Sequence, residues 1–536
     1  MKKILYSTIG ALMFSLIGCD TLDLAPEDYS GAGNYWKNEG QVATFMNGLH
    51  VHLRGDYTSQ MVLGELRGGT MRNGTSSVGT SLDYASLIIN DLRTTNTGVS
   101  NWNGYYSRIL QVNHFIEEVE NACTFLSESE RNTYLGQAYG LRAYYYFMLY
   151  RTYGGVPLEK EIKVADGSID APSLYLERSS AEDILNFIKD DIKKSEEGFG
   201  TTEEFNKYYW SKYATLFLKA QVYMWSAKVT TNDDTKAHTA TGESDLLIAE
   251  KALNDIIGSN KFELLPDYAD IFDVSKKDSN KESILSLYFE RTEATNWGSQ
   301  FVSNPSLVVG VMYDTNGDMI MEDVLELGSQ GLLRYEWKES FVKSFDANDK
   351  RRSTMFREFY SSKDIEDGTL SGFGSEMLKY IGHTDEGLRY FDSDVIMMRY
   401  AEVLLMMAEV ANGLGKPCAS YINDVRERAC GTGNYVEYVD GSYAENELAI
   451  LKERDKEFFA EGKRWFDVVR MHDAEKKPLV FSADAAYPNE LSGQKAPILN
   501  ADTEQHKLLW PINIDLITAD PLLKQTWGYK KAEGLE

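Results

Sequence analysis

Two long blocks of this chain carry apolar residues at three- and four-residue steps, and that periodicity confines most of it to stacked amphipathic helices. In the first block, residues 102–119 are amphipathic. Residues 128–150 follow, with Ala138, Leu141, Tyr145 and Leu149 on one face. Gly154-Gly155 and then Pro157 stop that helix. Ser179-Ser180 ahead of Glu182 and Asp183 starts another, reaching about residue 195. Segments 209–228 and 245–257 come next, the last closed by Gly258. In the second block, 395–414 reads as a helix ended by Gly415. Pro417 opens the next, to about residue 429, and 446–470 closes the block. Helix pairs joined by short turns are the pattern of a tetratricopeptide-like scaffold, here with a loose repeat period. The expected fold class is mainly α: a helical-repeat scaffold with an irregular, loop-rich region of short strands.

The irregular region falls in two places. Residues 64–100 are rich in Gly, Ser, Thr and Asn, without a clear period. Residues 265–390 lose helical periodicity, with a short strand at 284–289 and a hairpin signal at Asn316-Gly317, between 308–312 and 319–321. The division that follows is a scaffold over about 35–62, 101–262 and 393–475, a variable region over about 63–100 and 263–392, and a tail from 476 to 536. Irregular segments on a rigid frame are where ligand contacts usually lie.

The N-terminus has its own grammar. Lys2 and Lys3 precede an apolar stretch, 4–17, that is too short to span a bilayer. Leu16-Ile17-Gly18-Cys19 fits a lipobox, so residues 1–18 read as a signal peptide and Cys19 as the lipidated first residue of the mature chain. Acyl chains there would anchor the protein, and Asp20, Asp23, Glu27 and Asp28 make 19–34 an acidic tether.

A formal charge of −27 repels phosphate backbones, which excludes nucleic acid as a partner. Besides Cys19 there are Cys123, Cys418 and Cys430. The last two share one helix roughly 18 Å apart, which forbids a disulfide between them.

Catalytic motifs are missing. There is no HExxH, GxSxG, GxxxxGK[ST] or glycine fingerprint, and His50 and His52 point apart on a helix. A carboxylate pair for glycoside hydrolysis stays open, because 82 acidic residues offer many combinations. Asp314, Asn316 and Asp318 alternate as in a calcium loop. Met319 stands where that loop needs Gly and Leu325 where it needs Glu, so the hairpin turn is the preferred reading over structural calcium.

Several segments converge on one family. They are Cys19 with Leu24-Ala25-Pro26 and Tyr35-Trp36; Trp102, Tyr105-Tyr106, Ile109, Asn113 and Phe115; and Gly140-Leu141-Arg142 through Phe147, closed by Tyr153 to Leu158. Later come Asp349 to Arg352, Met398-Arg399 with Glu402 and Glu409, Arg426 to Ala429, Glu453-Arg454, and Glu461-Gly462 through Asp467. In order and across the mature chain these resemble the SusD/RagB family of outer-membrane nutrient-binding lipoproteins. One departure is Asn513, where a second Pro is common.

The resemblance implies a SusD-like fold without catalytic activity, lipid-anchored at the outer membrane and facing the exterior. It would hold an oligosaccharide, or alternatively an oligopeptide, over a SusC-type TonB-dependent transporter. A surface glycoside hydrolase ranks last. Read from the residues alone, the motifs are structural. Leu451, Asp455, Phe458, Gly462, Trp465 and Val469 would line one helix face, with Gly462 allowing a close approach and Arg464 near Asp467. Glu461 and Asp467 read as a charge network reaching Arg399 or Arg426 rather than as an acid–base pair. The ligand candidates therefore come from the variable region: Arg67, Arg72, Asn73, Tyr84, Trp297 and Tyr313. The competing readings are that Arg67 and Arg72 anchor their loop and that Tyr84 packs inward.

Overall fold

The computed structural model describes residues 35–73, 84–99, 102–162, 174–489 and 492–534. The signal peptide, Cys19 and the tether lie outside the described residues.

The first helical block forms where its periodicity places it. α1 spans Glu39–Gly64 and is capped by Asn38, whose Oδ1 accepts from Gln41 N at 3.1 Å. α2 is Asn103–Asn121 and α3 is Glu128–Tyr153, opened by a reciprocal capping box of Ser127 and Glu130. α4 (Ala181–Phe199) starts on Ser180, whose Oγ accepts from Asp183 N at 3.1 Å. α5 (Lys212–Lys228) and α6 (Glu243–Gly258) follow, and α7 (Tyr400–Gly413) packs on α6 across the long intervening sequence. From α1 to α7 each helix rests on the next, so every apolar stripe is covered by a neighbour, as in stacked repeats. α8 (Ala419–Cys430) and α9 (Tyr443–Phe458) also rest on α7, and α10 is Arg464–Arg470. Cys123, Cys418 and Cys430 are buried free thiols, the last two at opposite ends of α8.

Two helical readings need correction. Residues Val395–Arg399 are not helix but β8, paired antiparallel with β2 (Ser283–Leu287). Both strands are buried on both faces, and the short apolar run 395–398 has no period to separate strand from helix. The stretch 446–470 is two helices. Ala460 (φ 62°) and Gly462 (φ 69°) turn the chain between α9 and α10, so Gly462 and Trp465 do not share a face with Leu451. The close approach at Gly462 is real but lies at the end of α1.

The irregular region is built from short antiparallel pairs. β1 (Met71–Asn73) pairs with β3 (Tyr335–Trp337) and β4 (Phe356–Lys363) with β5 (Leu370–Met377); β6 (His383–Asp385) pairs with β7 (Leu388–Tyr390). The turn at Asn316-Gly317 forms, with Gly317 at φ 80° and Tyr313 bridged to Met319, but its flanks are turns rather than strands.

Charged motif residues tie these parts together in the interior. Arg142 on α3 holds Asp191 of α4 through two hydrogen bonds of 2.7 and 2.8 Å and donates to Asn113 of α2 at 2.8 Å. Arg399 donates to Glu282 (2.7 Å), Glu457 (2.6 Å) and Glu461 (2.8 Å), all buried. Asp467 pairs with Arg454 and Arg470, each at 2.8 Å, whereas Arg464 pairs with Asp455 and Arg426 with Glu453. The Arg464–Asp467 pair expected from spacing does not form. Each of these charges is neutralised by a partner that also supplies hydrogen bonds, the condition for burying it at all. Among the described residues no helix is long and apolar enough to cross a membrane.

Candidate functional site

Four of the six sequence candidates lie along or against β3. The β1–β3 register sets Arg72 opposite Glu336 and Asn73 opposite Tyr335. Tyr84, which precedes the short helix Ala85–Ile88, stacks on Tyr335 with centroids 6.5 Å apart and planes 26° apart. Trp297 meets the same Tyr335 ring at 5.4 Å and 49°, and Phe301 at 5.8 Å, nearly edge-on. Tyr335 and Phe301 are buried and form a floor, while Tyr84 and Trp297, packed against it, are half-buried. The indole is thus seated on the protein rather than wholly exposed.

Trp297 is held from the scaffold side. Asn296 accepts from Gly298 N at 2.8 Å and donates to Ser393 O at 2.9 Å, fixing a single 3₁₀ turn, Trp297–Gln300. Arg54 of α1 grips the segment just before it, donating to Tyr288 O at 3.0 Å and pairing with Glu293 at 2.7 Å. Arg72 donates to Phe373 O at 2.5 Å, and its guanidinium lies 3.6 Å from buried Glu336. About a fifth of its side chain stays exposed (20%), so it holds the loop and still reaches the surface.

Two candidates lie elsewhere. Arg67 is wholly buried: its guanidinium is sandwiched between Trp465 (3.7 Å) and Trp510 (4.1 Å) and donates to Asn90 Oδ1 and Lys507 O. It is a core residue and does not face the Tyr335 cluster. Tyr313 exchanges two backbone hydrogen bonds with Tyr360 of β4 (2.9 and 2.8 Å), on a different edge from Tyr335.

The turn beside Tyr313 borders an open groove of about 810 Å³, lined by Met319, Met321, Arg352 and Glu358 among others. Asp314 Oδ1 accepts from the backbone N–H of Asn316 (2.8 Å) and Asp318 (2.9 Å), and these bonds hold its carboxyl below the usual range. Lys363 Nζ donates to Gly317 O at 2.7 Å, setting an ammonium in this loop. The Asp314 hydrogen bonds are those of an Asx-type hairpin turn. Burial works to raise Glu358, but hydrogen bonds from Arg352 (2.7 Å) and Lys343 (3.0 Å) outweigh it and keep it low. Burial likewise works against Asp346, and Lys456 at 2.9 Å outweighs it. None of these three is tuned upward as a glycosidase acid would be. Among the described residues no cluster of three or more His, Cys, Asp or Glu is placed to hold a metal ion.

Sequence reasoning missed Tyr335, the ring on which the site is built. The available signal was the alternation Tyr335-Glu336-Trp337 inside an otherwise irregular stretch, a strand signature only three residues long.

A helical-repeat frame whose loops bring half-buried rings onto one buried ring defines a class of architecture, a helical scaffold that carries an irregular, loop-borne aromatic cluster. Two family profiles match, "SusD family" over residues 367–529 and "Starch-binding associating with outer membrane" over 42–224. The chain is 38% identical to a SusD superfamily protein of Bacteroides fragilis whose crystal structure superposes with a TM-score of 0.82, covering 92% of this chain and 100% of that one. It is 32% identical to B. fragilis NanU, with a TM-score of 0.77 over 94% of this chain and 100% of that one. The starch-binding protein SusD of Bacteroides thetaiotaomicron is 24% identical over 68% of each chain. The chain belongs to the SusD family.

Proposed function

We propose that this protein binds oligosaccharides at the outer surface of the outer membrane, held there by lipid on Cys19, and passes them to a SusC-type TonB-dependent transporter. It acts by binding, and no cofactor takes part. The observation that carries the reading is the convergence of Tyr84 and Trp297 on Tyr335 from distant stretches of the variable region. Aromatic faces pack against the C–H faces of sugar rings. Support also comes from the relative named as starch-binding and from the matching profile's outer-membrane description.

Calorimetric titration against parallel panels of oligosaccharides and mixed oligopeptides tests the ligand class. Saturable heat from a glycan alone is the expected result. Binding confined to peptides moves the ligand to the alternative class, in which backbone groups rather than stacking faces carry the affinity.

A further inference from the structure

Asn47, His50, Arg54 and Tyr57 recur at three- and four-residue steps along α1, so one face of that helix carries all four. Tyr57 is buried, its ring centroid 5.5 Å from that of Phe289. The other three border an open groove of about 440 Å³, within the range of pockets that hold small organic ligands. The opposite wall is Asn206, Tyr208 and Tyr209, with the end of β2 and Tyr288. Neither Tyr84, Trp297 nor Tyr335 lines this groove.

The rings of that wall are pinned. The Tyr208 hydroxyl donates to Asp394 at 2.9 Å, and its ring meets Tyr288 at 5.2 Å, nearly edge-on. Tyr209 stands 5.0 Å from the His50 ring. His50 is itself fixed: Nε2 accepts from Trp210 N at 2.8 Å, so the proton sits on Nδ1, which donates to Met46 O at 3.0 Å. Burial keeps it neutral, its pKa lowered to about 4. Rings held in this way lose little freedom when a ligand packs on them.

The polar groups around these rings face outward and are unspent. Asn47 and Asn206 are exposed, and so is Tyr288 (36%). Asn206 Oδ1 accepts from Tyr208 N at 3.0 Å. Among the described residues its amide nitrogen, the Asn47 amide and the hydroxyls of Tyr209 and Tyr288 have no hydrogen-bond partner. Arg54 is neutralised by Glu293 at 2.7 Å, so the groove offers a ligand hydroxyls and amides rather than a free charge. Fixed rings beside neutral donors and acceptors suit a sugar, which has apolar C–H faces and a rim of hydroxyls.

We propose that this groove is a second sugar subsite, taking further units of the oligosaccharide that the Trp297 and Tyr84 rings hold; the inference rests on the glycan reading above. Tyr209 and Tyr288 supply ring surface, while Asn47 and Asn206 bond sugar hydroxyls. Tyr288 and Trp297 are the two ends of one short segment, which Arg54 grips at Tyr288 O and at Glu293. A chain long enough to reach both surfaces gains affinity through effective concentration, and a short one occupies a single surface.

Calorimetry of the full-length protein tests this with six-unit and two-unit oligomers of α-1,4-glucan, β-1,3-glucan, β-mannan and β-xylan. The expected result is that the six-unit oligomer that saturates the parent binds about tenfold or more tighter than its two-unit counterpart. Tyr209→Ala removes one ring. Val51→Arg fills the groove from an exposed position on α1 and removes no packed side chain. Both variants should lose that advantage and keep the parent's affinity for the two-unit oligomer. Parent-like affinity for the six-unit oligomer in both overturns the subsite and leaves the glycan reading intact. A loss confined to Tyr209→Ala also overturns it, since that reports only the contact with His50. Losses in both variants with none in Trp297→Ala uphold the subsite and overturn the role given to the Tyr335 cluster. Saturation by none of the oligomers overturns both.

Discussion

Gly64 and Gly462 touch backbone to backbone: a Cβ on Gly64 would lie 1.9 Å from the carbonyl oxygen of Gly462. The contact joins the C-terminal end of α1 to the turn between α9 and α10, two parts of the scaffold nearly four hundred residues apart in sequence. Gly64→Ala must push the two backbones apart, and overpacking of this kind costs about 1–3 kcal/mol. Gly48, on the same helix, has open space where its Cβ would go. Gly48→Ala is expected to gain up to about 1 kcal/mol from helix propensity. Thermal denaturation of the two variants should therefore shift in opposite directions.

Two buried carboxylates give stability a pH dependence of opposite sign in different windows. Burial works to raise Glu402, but Lys463 at 2.8 Å and Arg454 at 3.2 Å outweigh it and hold the carboxyl down at about 2. A depressed acid contributes stability above its unfolded value of 4.5, and that contribution fades as pH falls toward 2. Burial pushes Glu65 up to about 8, and one of its oxygens has no partner. A raised acid favours the fold below 4.5 and loses that advantage as pH rises toward 8. Comparing Glu65→Gln with the parent by urea denaturation from pH 5 to pH 8 should show the variant losing less stability across the window. Parallel curves would mean that Glu65 is ionised throughout.

Arg67 and Arg72, five positions apart, should behave as different kinds of residue. Removing Arg67 opens the slot between Trp465 and Trp510 and forfeits two cation–π contacts, which can be worth about 2 kcal/mol when desolvated. Arg67→Ala is expected to lower the melting temperature clearly. Arg72→Ala should move it less, because about a fifth of that side chain (20%) is exposed. Melting curves of each variant check both statements.

The thiols report on the anchor. Cys123, Cys418 and Cys430 are free and buried, so a thiol reagent should react with none of them in the folded protein. After denaturation, protein isolated from membranes should show three reactive thiols, because Cys19 would carry lipid. A fourth would contradict acylation at Cys19.

Much of the scaffold was legible because its helices carry their own punctuation. Ser180 with Asp183 marks a start that periodicity then fills in, and Gly154-Gly155 with Pro157 marks a stop. The misreadings have physical causes. Val395–Arg399 is buried on every side and loses the alternation that marks a strand. The break at Ala460 and Gly462 is set by contact with α1, which is not local to that stretch. The site was half legible. Tyr84 and Trp297 stood out as large groups in polar loops, and they meet on Tyr335, whereas Arg72 lies opposite Glu336, on the other face of the β1–β3 pair. Arg67 looked the same in sequence, but the two tryptophans that bury it come from the far end of the chain. Tyr335 carried no mark of its importance, because a three-residue strand shows in the sequence only as a brief alternation.

Whether the rings on Tyr335 hold a sugar is decided by calorimetry of the parent, Trp297→Ala and Tyr84→Ala with whichever oligosaccharide the parent binds. Saturable binding in the parent is expected, with a loss of about tenfold or more in each variant, some 1.4 kcal/mol, and the melting temperature nearly unchanged. Parent-like affinity in both variants would contradict it and place the ligand elsewhere on the molecule.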